Sequence, residues 1–179
     1  EYGGDLAGRS RFAIELVSAV RDAVGPDYPI IFRWSQWKQQ DYSARLVETP
    51  QALEAFLTPL ADAGVDIFHC SQRRFWEPEF EGSDLNLAGW VKKLTGKPTI
   101  TVGSVGLNQD FLPEDGTSNF KDAETVSLDS LVERVDNAEF DLVAVGRALI
   151  SNPDWVNKVQ AGEFDNLKAF DRAQLAELV

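Results

Sequence analysis

Two stretches of this sequence end an apolar run on a glycine and follow it with groups able to hold an anion. In TITVGSVG, the run Thr99 to Val102 leads to Gly103, Ser104 and Gly106. In DLVAVGRALISNPDW, the run Leu142 to Val145 leads to Gly146 and Arg147, and a helix is expected to start near Asn152–Pro153. Backbone N–H groups approach phosphate oxygens closely only where no Cβ intervenes. Arg147 adds a planar fork of donors whose charge is not titrated away. The helix beyond it would turn its N-terminal dipole toward the same group. One such turn is common among strand–helix connections. Two on successive strands, with an arginine, point to one phosphorylated ligand held between them, as the last two strands of a (β/α) barrel hold theirs.

The elements that must carry these turns alternate. Arg9 to Val24 reads as an amphipathic helix, with Phe12, Leu16, Val20 and Val24 repeating every fourth residue and Gly25–Pro26 ending it. PIIFRWS (Pro29 to Ser35) is a short apolar run, as expected of a strand covered on both faces. Thr49–Pro50 caps a helix whose face is Leu53, Phe56, Leu57 and Leu60, with Pro59 expected to kink it and Gly64 to stop it. The strand Val65 to Phe68 follows, then a helix through Leu87, Trp90, Val91 and Leu94 closed by Gly96. After strand Thr99 to Val102 comes a long polar connection, Leu107 to Val126, with an acidic stretch from Glu114 to Glu124 that reads as solvated surface. A helix with Leu128, Leu131, Val132 and Val135, the strand Leu142 to Val145, a helix from Asn152 to Val159 and a short helix near Asp171, with Leu175 and Leu178 on one side, complete the series. This order predicts parallel βα units in one domain, residues 1–179. A full eight-stranded barrel takes about 250 residues. Four units therefore amount to half a barrel, and the expectation is that an N-terminal half, as another chain or a lost segment, covers the open sheet edge.

Composition narrows the function. Net charge is −12, which argues against nucleic acid because its phosphates would be repelled. The single cysteine, Cys70, leaves no internal disulfide framework and fits a reducing cytoplasm. No stretch approaches the roughly 20 apolar residues of a membrane span, and no charged-then-apolar leader opens the sequence. No metal-ligand cluster stands out.

The other strand ends are where further chemistry would sit. Arg33 follows an apolar run, and either faces a charge at the barrel mouth or is a surface residue at a strand end. His69 follows the second strand and is either a structural or supporting residue or one that touches a ligand, and Cys70 reads as a small buried residue. RRFWEPEFEG (Arg73 to Gly82) is either a solvated loop anchored by Phe75 and Trp76, or a lid on which those two line a substrate site. Trp34 and Trp37 are open to packing, loop anchoring or that same wall.

Nearly the whole chain resembles the old yellow enzyme family of FMN-dependent ene-reductases. GRALISNPDW and VGSV match the family's last two strand ends. EYGGDLAGRSRF resembles E-Y-G-G-S-x-x-N-R-x-R-F, with Asp5 and Gly8 where Ser and Asn are usual. Arg33 matches the arginine of an R-x-S-P strand, with Gln36 in place of the proline. The resemblance implies an FMN site with Val102, Gly103, Ser104, Gly146 and Arg147 around the phosphate and Arg33 beside the flavin N1–C2=O edge. It implies NAD(P)H as reductant and an activated alkene, such as an enone, as acceptor. The family's substrate-holding His pair and proton-donating Tyr have no match here, so no catalytic residue is assigned to this chain. Two alternatives stand beside it: another phosphate-binding barrel acting on a sugar phosphate, and an inactive barrel fragment.

Overall fold

The computed structural model describes residues 1–38, 40–111 and 121–176. Helix α1 (Leu6–Val24) is followed by β1 (Ile31–Trp34), α2 (Pro50–Asp62), β2 (Ile67–Ser71), α3 (Leu87–Thr95), β3 (Thr99–Val102), α4 (Asp129–Asp136) and β4 (Leu142–Val143). Two short helices, α5 (Arg147–Ser151) and α6 (Trp155–Gln160), and 3₁₀ turns at Phe164–Asn166 and Arg172–Ala176 come after. All strand pairs are parallel and lie in the order β1-β2-β3-β4. A doubly wound sheet reverses its order at a switch point. An unbroken parallel order with a crossover helix at each step is the wall of a (β/α) barrel, here four units of it.

Strand alternation separates the two faces of this wall. Trp34, Phe68, Cys70, Thr99 and Thr101 point to the helices and are buried. Trp34 packs on Phe56 of α2, ring centroids 5.1 Å apart. The opposite face carries Ile31, Arg33, Ile67, His69, Ser71, Ile100, Val102 and Leu142, none of them fully buried. Ile31 and Leu142 are each 52% exposed. The predicted two-faced burial of β1 is therefore corrected: the helices cover one face, and the face that would line a barrel interior is open among the described residues. The same correction applies to α1. Val17 is its buried apolar residue, while Phe12, Leu16, Val20 and Val24, predicted as the core face, form an exposed stripe.

Local chemistry explains the element ends. Asp5 caps α1, its Oδ1 accepting from Gly8 N–H at 2.8 Å, so the helix starts three residues before the predicted Arg9. A Cβ at Gly8 would stand 2.2 Å from the Gly3 carbonyl oxygen. Asp5 and Gly8, the two departures from the family pattern, thus work together as one cap. Thr49 caps α2 with Pro50 in the first turn, and Pro59 sits inside the helix without ending it. Asn86 caps α3, and Gly96 closes it in the left-handed region at φ 65°. The helix expected over Asn152 to Val159 is α6, which starts later, at Trp155; the short helix before it, α5, was not expected, and the helix expected near Asp171 is a 3₁₀ turn. Most of the acidic stretch from Glu114 and also Leu178 lie outside the described residues.

Candidate functional site

The two glycine turns meet. Gly103 (φ 141°) and Ser104 (φ 47°) reverse the chain after β3 in conformations that L side chains rarely adopt. A Cβ on Gly103 would lie 2.8 Å from the Gln72 carbonyl oxygen and 3.0 Å from the backbone of Arg73 and Arg74. Its glycine is therefore required by the close approach of the loop after β2, in addition to any ligand. Gly146 differs: nothing lies within 4 Å of a Cβ placed there. Arg147 spans the gap between the turns. Its Nη2 donates to Ser104 Oγ at 3.4 Å and to the Gln109 carbonyl, and its Nη1 donates to the Asp110 carbonyl at 3.2 Å. The guanidinium also stands over the rings of Phe111 and Phe170, 5.7 and 5.4 Å from their centroids. Burial lowers its hold on a proton, which the Asp110 charge partly offsets.

Ser104 Oγ lies 3.0 Å from both the Arg73 and Gln109 carbonyls, and can donate to one of them at a time. Asp110 is buried, ion-paired to Arg73 and, at 2.9 Å, to Arg74 Nε. Asp110 was not a sequence candidate; a lone acid in a polar connection carries little signal. Val102, Gly103, Ser104, Gly146 and Arg147 line one open cavity of about 600 Å³, within the usual range for small-molecule sites. Trp37, Tyr42, Gln72 and Arg73 line the same cavity. Trp37 meets Tyr42 edge to face at 5.1 Å, and the Arg73 guanidinium lies 4.0 Å above the Tyr42 ring. The cavity lining thus combines glycine turns, two arginines and aromatic rings.

Arg33 does not line this cavity. It lies on the open sheet face, where Nη1 is 3.1 Å from His69 Nε2 and Nη2 donates to Ser71 Oγ at 3.2 Å, which leans it toward the C-terminal end of β2. Burial and the Arg33 charge both hold His69 below its ordinary pKa, hence neutral. Phe75 and Trp76 do not line it either. Phe75 is buried with its carbonyl bonded to Asn86, and Trp76 stacks on it edge to face at 5.2 Å. They anchor the loop into the core, as in the first of the two readings of this loop. Cys70 is buried and its thiol is pushed upward, away from reactivity.

Gln36, the residue in place of the family proline, has a definite task. Its amide donates to the Val47 carbonyl at 2.9 Å and to Glu79 Oε1 at 3.0 Å, and accepts from Val47 N–H at 3.1 Å. It ties the loop after β1 to the loop after β2, beside the aromatic wall. Arg45 also pairs with Glu79. Burial nevertheless raises the Glu79 pKa above its ordinary 4.5, outweighing Arg45 and Gln36. A carboxyl raised on folding stabilises the fold fully when protonated, and that contribution is lost as pH rises through the folded value. Glu79→Gln is therefore expected to flatten the stability–pH curve above pH 4.5, with unfolding at neutral pH as hard as or harder than in the parent. Urea melts at a series of pH values check this; an unchanged slope would place the dependence elsewhere.

The sequence profile of the NADH:flavin oxidoreductase / NADH oxidase family matches residues 1–166. Among curated relatives, a metal reductase of Desulforamulus reducens is 66% identical over 170 residues, covering 93% of this chain and 22% of that protein. An NADH oxidase of Thermoanaerobacter brockii is 31% identical over 176 residues, covering 94% of this chain and 23% of its own length. The structure of an old yellow enzyme homologue from Zymomonas mobilis superposes with a TM-score of 0.65 at 17% identity, over 97% of this chain and 42% of that one. The chain thus spans about a quarter of these two curated relatives and less than half of that barrel. No helix among the described residues is long and apolar enough to cross a membrane. With a wall of parallel βα units and a profile match across most of its length, the chain belongs to the NADH:flavin oxidoreductase / NADH oxidase family, the old yellow enzymes, whose cofactor is FMN and whose reductant is NAD(P)H.

Proposed function

We propose that this chain is the flavin-bearing half of a (β/α)₈ barrel that, when complete, reduces activated alkenes such as α,β-unsaturated carbonyls. The supporting observation is the convergence of Gly103–Ser104 and Gly146–Arg147 on one cavity, with Arg147 bridging the turns. FMN, when bound, would supply the hydride relay between NAD(P)H and the acceptor. The chain's own residues would hold and tune it. Arg147 and Ser104 would hold the phosphate, Gly103 and Gly146 would let the backbone close on it, and Val102 would form part of the wall. Arg33 would supply a fixed positive charge to stabilise the negative charge of the reduced ring.

The groups that hold the acceptor's oxygen and deliver its proton belong to the N-terminal half. That half also covers Ile31, Leu142 and the α1 stripe, whose exposed apolar surface is too extensive to favour a free monomer. A second reading concerns the acceptor. The relative at 66% identity is named a metal reductase, and a chain that carries the flavin but not the acceptor's ligands serves either partner equally. Family membership leaves the sugar-phosphate reading without support. The test is reconstitution: the chain with its completing half, given FMN and NADPH, is assayed with cyclohexenone and with a ferric chelate. Flavin absorption with enone turnover is expected only for the completed barrel. Enone turnover by the chain alone would mean the catalytic groups are misplaced, and turnover of the chelate alone would move the assignment to metal reduction.

A further inference from the structure

We propose that His69 and Ser71 are positioning residues that fix the Arg33 guanidinium across β1 and β2, and thereby set the reduction potential of the bound flavin. The inference rests on the flavin reading above. Arg33 and His69 are register partners on adjacent strands, and Ser71 is the next residue of β2 on the same face. The guanidinium is held at both terminal nitrogens, Nη1 by His69 Nε2 at 3.1 Å and Nη2 by Ser71 Oγ at 3.2 Å. For Nε2 to accept, the imidazole must be neutral with its proton on Nδ1. Its surroundings favour that form, since burial and the adjacent Arg33 charge both disfavour the imidazolium. On the other side His69 faces Ile100 of β3, which offers no competing group.

Arginine has five N–H donors. Two are committed here, which leaves Nε–H and one N–H on each terminal nitrogen for a ligand above the sheet. An arginine on an open sheet face has many rotamers. Two fixed acceptors reduce them to one that leans toward the C-terminal end of the strands, where the cavity lies. The charge then stands at a fixed place when negative charge develops on the ring, with no reorganisation needed.

The test measures the reduction potential of FMN in the completed, flavin-loaded barrel, together with the affinity for oxidised FMN. Arg33→Ala is expected to lower the preference for reduced over oxidised flavin about a hundredfold, which is ~60 mV for a two-electron couple. His69→Phe should lower it about fivefold, ~20 mV in the same direction, and Ser71→Ala about threefold. His69→Gln, whose amide oxygen still accepts, should stay near the parent, and oxidised FMN should bind the His69 and Ser71 variants within a few-fold of it. If Arg33→Ala shifts the potential but His69→Phe and Ser71→Ala do not, the positioning role is wrong and the flavin reading stands. If His69→Gln shifts as far as His69→Phe, packing and not the acceptor is responsible, and the proposal falls. Should Arg33→Ala itself leave the potential unchanged, the placement of Arg33 at the flavin fails and takes this inference with it. If His69→Phe does not fold, Ser71→Ala decides.

Discussion

Arg147→Ala is expected to weaken FMN binding about a hundredfold to a thousandfold, ~3–4 kcal/mol, the scale for removing one partner of a desolvated, hydrogen-bonded charge pair. The guanidinium reaches across from the β4 end to Ser104 on the β3 end, so it bridges both turns of the cradle. Binding of riboflavin, which lacks the phosphate, should change little. The ratio of FMN to riboflavin affinity therefore isolates the phosphate contact from general damage. Turnover per bound flavin should stay within a few-fold of the parent, because nothing places Arg147 at the reacting ring. The same side chain also donates to the carbonyls of Gln109 and Asp110, so a stability loss of about 1–3 kcal/mol accompanies the change. Arg147→Lys should recover part of the affinity only, since an ammonium keeps the charge but not the fork. Normal FMN retention by the alanine variant would remove the basis of the proposed site.

The comparison of sequence and structure is most informative where they part. Strand–helix alternation was enough to predict a parallel wall, because short apolar runs separated by capped amphipathic helices leave few other topologies. The cavity end was legible for the same reason: glycine and arginine at strand ends are rare enough, in pairs, to carry meaning. The apolar stripe of α1 was legible as a stripe, yet its direction was not. Periodicity states that Phe12, Leu16, Val20 and Val24 share a face; it does not say whether the element they would cover lies within the same chain. Gln36 stood out only as a departure from the family pattern, and Asp110 not at all; the task of each was illegible because it acts through partners distant in sequence, Glu79 in one case and Arg73 with Arg74 in the other. The short helix α5 was not expected, because Gly146 opens it without a capping side chain while Asn152–Pro153 reads locally as a helix start. In the fold Asn152 instead bonds the Ala148 and Lys168 carbonyls, closing a helix that Gly146 had already opened.

The two cradle glycines should fail in opposite ways. Gly103→Ala places a Cβ at φ 141° against the Gln72 carbonyl and the Arg73–Arg74 backbone. Backbone atoms cannot swing aside as a flexible side chain would, so the loop after β2 must move or the turn must change conformation. Strain and overpacking together predict a loss of about 2–5 kcal/mol in stability. Gly146→Ala meets nothing within 4 Å, at a φ of −108° outside the left-handed region. Its stability should stay within about 0.5 kcal/mol of the parent. Its methyl group, however, stands in the cavity where the phosphate is proposed to sit, and FMN affinity should fall at least about tenfold, ~1.4 kcal/mol. Denaturant melts without ligand, run beside FMN titrations, separate the two outcomes. A stable Gly103→Ala protein would show that the turn relaxes more easily than its backbone contacts allow. A Gly146→Ala protein that binds FMN normally would mean that the phosphate does not approach the β4 turn, and that Arg147 answers to the Gln109 and Asp110 carbonyls rather than to a ligand.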